Sequence, residues 1–202
     1  LGVREPCGQL LAVFEREKKF LIQTARIFLL EEEAHCQESR PLFLEAGIGL
    51  APETGPTELD TDGPAELRLP DGKKIKACGR LDRIDRLVNE GENSFAVWDY
   101  KTGNYNKYSP QDPFKGGRVI QNVLYLEMAQ ARLQELFPGA RVKRFGYFFP
   151  SARRHGERTQ WEAAELEKGR EVIANLCGLL ASGCFPVSED SGDNDRSDYR
   201  QA

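Results

Sequence analysis

No stretch of the 202-residue chain approaches the roughly 18 apolar residues of a membrane-spanning helix, and Leu1 opens no signal peptide. Nor is there a C-x-x-C pair: the five cysteines stand at positions 7, 36, 78, 177 and 184. An odd, scattered set argues against a disulfide framework and fits a reduced, cytoplasmic protein. Internal repeats and low-complexity tracts are missing as well. So is an excess of positive charge, since the formal net charge is −4. That balance argues weakly against a protein coated in nucleic acid and leaves room for a local basic groove. With no starting methionine, the chain is expected to be a piece of a longer protein.

What is present is ordinary for a soluble globular domain: 40% hydrophobic and 30% charged residues. The length suits one domain with a few extra elements, able to bury about 70% of its unfolded surface. We expect a helical part over 1–40, a core over 41–150, and a basic turn, closing helix and polar tail over 151–202. Leu10, Leu11, Phe14, Leu21, Ala25, Phe28 and Leu29 recur at helical spacing, predicting one long amphipathic helix or two in series over 9–35. Strands are expected at 41–50, on both sides of the "PDGK" turn, over "SFAVWDYKTG" and over "ARVKRFGYFFP". Helices are expected over "RVIQNVLYLEMAQARLQELF" and from Trp161 onward, with "SARRHGERTQ" as a basic turn. This order predicts an α/β fold, a mixed central β-sheet flanked by helices.

The stretch "GRLDRIDRLVNEGENSFAVWDYKTG" (79–103) sets polar groups inside an apolar hairpin. With "NEGE" as the turn, partner numbers sum to 181, so Asp82 lies opposite Asp99 on one face and Lys101 shares that face. Tyr100 points the other way. Opposed buried carboxylates repel, and a divalent cation with hard oxygen ligands, Mg²⁺ or Mn²⁺, offsets that repulsion. Lys101 adds a fixed positive charge suited to a phosphate oxygen or an attacking water. A plain ladder of ion pairs among Asp82, Arg83, Asp85 and Arg86, with Lys101 on Asp99, explains the spacing equally well. The apolar flank "SFAVW" favours the cation.

"GRLDRID", then "VWDYKTG", then "QNVLY" together resemble the nuclease domain of RecB-type and AddB-type proteins in the PD-(D/E)XK nuclease superfamily. The resemblance covers about residues 40 to 186 and implies an αβββαβ restriction-endonuclease-like core. It implies a metal-dependent deoxyribonuclease, an exonuclease for preference, attached to a helicase subunit or domain in DNA repair and recombination. By the same resemblance Asp82 and Asp99 are metal ligands, the Tyr100 carbonyl is a further ligand, and Lys101 is the catalytic lysine. Gln121 and Tyr125, one helical turn apart, face the site and its DNA; Glu45 is a possible site residue.

Two departures stand out. The family's first-motif His or Glu is not evident and is expected either to lie before residue 1 or to be lost: Ala12 stands near where that His would fall, and His35 reads as an exposed polar residue. The chain therefore also fits an impaired DNA-binding or interaction module of the same fold. A third possibility is an α/β domain whose acidic hairpin is only a salt-bridge ladder. Relatives often end in a cysteine cluster holding iron and sulfur, whereas Asn194 and Ser197 stand at the matching places here, so no cluster is expected. Cys177 and Cys184 read as packing residues of the last helix. Lys107, Lys115, Arg118, Arg144, Arg153 and Arg154 are candidates to line a phosphate-binding groove. Tyr105 and Tyr108 suit either base stacking or loop packing.

Overall fold

The structure is a computed structural model and describes residues 7–53, 55–102, 108–151 and 154–184. In chain order the elements are α1 (Cys7–His35), β1 (Ser39–Ile48), β2 (Ala65–Arg68), β3 (Lys74–Ala77), β4 (Gly79–Leu87) and β5 (Ser94–Tyr100). They continue as α2 (Gln121–Leu136), β6 (Arg141–Phe149), β7 (Glu157–Glu162), α3 (Ala163–Leu166) and α4 (Gly169–Ala181). Five strands form one sheet in the order β1-β4-β5-β6-β7, while β2 and β3 pair separately. Only β5 and β6 run parallel in the five-stranded sheet, so it is mixed, as expected. Among the described residues no helix is long and apolar enough to cross a membrane.

β5 is central because both of its faces carry bulky side chains. Phe95 and Val97 join the larger core with Ile84, Phe145, Tyr147 and Phe149, closed by Val123, Leu126, Ala129 and Leu133 of α2. Ala96 and Trp98 turn to the other face with Leu87 and Phe148, against Phe28 of α1 and Tyr100. Trp98 needs the space above its partner on β6. A Cβ at Gly146 would lie 2.3 Å from the indole, so glycine is required for close approach.

Four expectations are corrected by the fold. The basic turn gives way at Glu157 to an edge strand, β7, whose buried residues are Thr159 and Trp161. The closing helix therefore begins later, at Ala163, where Glu162 and Glu165 form a capping box, and continues as α4. The helix expected from Arg118 begins at Gln121. The long strand expected after "PDGK" breaks at Cys78, leaving β3 and β4 in different sheets.

α1 is one continuous helix, about 43 Å long. Its apolar stripe is not buried as amphipathic spacing suggested: Leu11, Phe14, Leu21 and Leu29 are exposed, and Phe28, near its C-terminal end, packs against the sheet.

Candidate active site

The hairpin register is the expected one. Arg83 pairs with Trp98, and the ladder runs through Arg86 and Phe95 at a constant sum of 181. The ladder ends there; just beyond it Asp82 reaches β5 through its side chain, which accepts from the Tyr100 N–H, and its charge bears on Asp99. On the other side of β4, Leu44–Arg83 and Ala46–Leu81 bracket Glu45 and Asp82. Glu45, Asp82 and Asp99 thus form an acidic row across three adjacent strands. Glu45 has φ 54°, a left-handed conformation that is costly inside a strand and redirects the chain locally. Its carbonyl accepts a hydrogen bond from Arg80 Nη1 at 3.1 Å.

Each aspartate is tied to a different element. The backbone N–H of Tyr100 donates to Asp82 Oδ2 at 2.8 Å. Lys101 Nζ lies 2.5 Å from Asp99 Oδ2 as an ion pair. Gln121 links them: its Nε2 donates to Asp99 Oδ1 at 3.1 Å, and its Oε1 accepts from Lys101 Nζ at 3.1 Å. Gln121 is the first residue of α2, so this link is made from the N-terminal turn of that helix. Even so, burial pushes the Asp99 carboxyl up to about 6, with the Asp82 charge adding to the rise and Lys101 opposing it. Glu45 is also raised, first by burial and then by Asp82. Negative charge is in local excess.

Tyrosines wall the site. Tyr100 turns to the opposite face, as expected, where its hydroxyl accepts from Arg83 Nη1 at 3.2 Å. Tyr125 lies close over the start of β4, 3.3 Å from where a Cβ at Gly79 would sit. Gln121 thus reaches Asp99 and Lys101, while Tyr125 meets the sheet at Gly79, three residues before Asp82. Tyr147, which belongs to none of the three sequence blocks, pairs with Asp99 across the parallel β5–β6 ladder. The Lys101 ammonium stands 5.4 Å from its ring centroid, and burial and Asp99 together raise its phenol. Its only sequence signal is the alternation Phe145, Tyr147, Phe149, which marks one face of β6. Tyr108 packs on Tyr147 at 4.2 Å and on Phe149, so of its two readings the packing one is realised.

Other candidates scatter. Arg144 belongs to the far end of β6, where it pairs with Glu162 at 2.7 Å and with Glu90 of the hairpin turn. It is thereby removed from the groove. Arg154 pairs with Glu157, and Lys115 and Arg118 lie in the turn leading to α2. Lys107, Arg153, Tyr105, Asn194 and Ser197 lie outside the described residues. Cys177 packs against the core, but Cys184 is exposed beyond the end of α4.

His35 also departs from expectation. It is not an exposed polar residue: its Nε2 donates to Asp85 Oδ2 at 3.1 Å, and its ring packs edge-on to Trp98. Asp85 further accepts from Ser39 and twice from Arg83, which reaches Glu32 of α1 as well. All of this lies on the α1 face, behind the Asp82–Asp99 pair. The arginine–aspartate pair runs along β4 rather than across strands, so an ion-pair network and an acidic row coexist on opposite sides.

Among the described residues no group of three His, Cys, Asp or Glu side chains closes on a point that could hold a metal ion. The donor chemistry nevertheless fits a hard divalent cation. Mg²⁺ takes only one or two carboxylates, filling the rest of its shell with water and phosphate oxygens. A carboxyl held up to about 6 by burial and a neighbouring charge is also what such a cation would relieve.

Comparison with known proteins agrees with this geometry. The family model of the PD-(D/E)XK nuclease superfamily matches residues 6–192. The chain is 34% identical over 113 residues to an ATP-dependent helicase/deoxyribonuclease subunit of Clostridium novyi (strain NT), covering 56% of this chain and 9% of that protein. The protein of the same name from Symbiobacterium thermophilum is 31% identical over 64% of the chain, and that of Listeria innocua serovar 6a 25% identical over 85%. The chain thus spans about a tenth of these relatives: 9%, 10% and 14% of their lengths. With the acidic row, its lysine and the helix behind them all on one αβββαβ frame, the chain belongs to the PD-(D/E)XK nuclease superfamily.

Proposed function

We propose that this chain hydrolyses DNA phosphodiester bonds with Mg²⁺ or Mn²⁺, as the nuclease domain of a cytoplasmic helicase–nuclease working in DNA repair and recombination. The observation carrying this reading is the closed contact of Asp99, Lys101 and Gln121 beside Asp82. Asp82, Asp99 and the Tyr100 carbonyl are the groups that would hold the cation. When bound, a divalent cation makes a water molecule more acidic and offsets charge on the phosphate. Lys101 contributes an ammonium for charge gathering on a phosphate oxygen. Gln121 fixes both Asp99 and Lys101, while Tyr125 bounds the space through which a strand approaches. The relatives' name supports DNA and a helicase as partners, and exonuclease action is our preferred activity. The test is cutting of labelled single- and double-stranded DNA in Mn²⁺ against EDTA. Cutting should need metal and fall by at least about 100-fold in Lys101→Ala; undiminished cutting by that variant would remove the mechanism.

A second reading, a DNA-binding module with impaired catalysis, has one observation in its favour. α1 packs behind the sheet, with Ala12 exposed and His35 spent on Asp85. Neither residue serves the Asp82 face. Binding of DNA with no metal-dependent cutting selects that reading.

A further inference from the structure

Among the described residues, every buried or half-buried arginine but one is matched with an acid. Arg80, Arg83, Arg132, Arg144, Arg154 and Arg158 each pair with a carboxylate. Arg86 is the contrast. It is half-buried, its Nε is buried without a hydrogen-bond acceptor, and no carboxylate pairs with it among the described residues. Its guanidinium is held instead over two aromatic rings, 5.7 Å from the Phe95 centroid and 5.2 Å from that of Phe137. Directly opposite in the β1–β4 ladder stands Arg40, exposed and likewise without a carboxylate partner among the described residues.

Like charges placed directly across a ladder destabilise it. Both arginines nevertheless line one cleft of about 640 Å³ beside the hairpin turn, with Gly91, Glu92 and Asn93 on its rim. Asn93 is engaged with the Pro138 carbonyl. Two guanidinium groups sharing a cleft, one of them lying against two aromatic rings, carry the donor forks that match a phosphate's oxygens.

We propose that the Arg40–Arg86 cleft binds a phosphate group, supplied by the DNA backbone at a point away from the bond being cut. The proposal rests on the nuclease reading for the source of that phosphate, though not for its chemistry. Arg86 shares a face of β4 with Asp82, four residues along, so the two sites are about 13 Å apart. The exposed edge of β1, carrying Arg40 at one end and Glu45 toward the other, runs between them. A backbone contact there sets the register of the strand without reading its sequence.

The experiment uses the full chain in EDTA, so that no cutting is needed. Affinity for a fluorescein-labelled single-stranded oligonucleotide is measured by anisotropy over a range of salt, for the natural chain, Arg40→Ala and Arg86→Gln. In parallel, the Arg86 Nε–H resonance is followed while inorganic phosphate is added. We expect each variant to bind about tenfold more weakly and the salt slope to fall by about one. Phosphate should shift the resonance in the natural chain and not in Arg40→Ala, an exposed position whose replacement leaves the core alone. Unchanged affinity and slope in both variants would overturn the proposal, even if the chain cuts DNA. A resonance shift with phosphate alone, with oligonucleotide binding unaffected, would assign the cleft to free phosphate and overturn the DNA source. A chain that never cuts but depends on Arg40 for binding would sink the nuclease reading and leave this site standing.

Discussion

Asp85 and Asp99 lie in the same hairpin and are both buried, yet their carboxyls are shifted in opposite directions. Asp85, on the α1 face, accepts from Arg83 at 2.5 and 2.8 Å, from Ser39 at 2.7 Å and from His35 at 3.1 Å. Burial works to raise its carboxyl, but the His35, Arg83 and Ser39 hydrogen bonds outweigh it, and it titrates below the ordinary 3.8. Asp99, on the α2 face, has one lysine and one amide, with Asp82 opposing it, and is pushed up to about 6. One carboxylate is saturated and fastens a helix to a sheet. The other is left short of positive charge, which is the condition in which a cation or a phosphate-bound metal gains most from binding.

Breaking the saturated side should have the largest effect on stability. Asp85→Ala leaves Arg83 buried without its main partner and should cost about 3–5 kcal/mol, read by urea unfolding. Asp99→Asn should do the reverse. It removes a charge whose ionisation opposes folding, so the variant should gain up to about 3 kcal/mol at mildly alkaline pH while losing cleavage. A loss of stability there would mean that the Lys101 ion pair outweighs burial. Gly146→Ala drives a methyl into Trp98 between the two faces and should cost about 1–3 kcal/mol in the same assay.

The pH dependence sharpens the contrast further. A raised carboxyl stabilises the fold below the unfolded value and loses that contribution as pH rises through its folded value. Asp99 should therefore subtract stability between about pH 4 and 6. Asp85, with a depressed value, contributes stability above the unfolded value of 3.8 and loses it on acidification below that. Unfolding midpoints against pH for Asp99→Asn and Asp85→Asn should each lack one of these two slopes.

The front of the hairpin was legible in the sequence and the back was not. "NEGE" and the alternation of "SFAVW" fix the register, which the ladder keeps from Arg86–Phe95 to Arg83–Trp98, one step short of Asp82 and Asp99. His35 lies fifty residues before Asp85, and nothing local ties a helix end to a strand it meets only in three dimensions. β7 escaped for a related reason. As an edge strand it buries only Thr159 and Trp161, while Arg158 lies over Phe148 at 4.0 Å and reads as surface charge. Tyr147 reaches the site through a parallel pairing, whose register no hairpin turn announces.

Calorimetric titration of Mn²⁺ into the natural chain and into Asp99→Asn, at a pH where Asp99 is ionised, probes the uncompensated charge itself. The expected result is uptake of Mn²⁺ by the natural chain, abolished in Asp99→Asn and kept in Ser39→Ala, which loosens only the Asp85 side. No uptake by the natural chain, or equal uptake by Asp99→Asn, would contradict the assignment of Asp82 and Asp99 as the cation-binding pair.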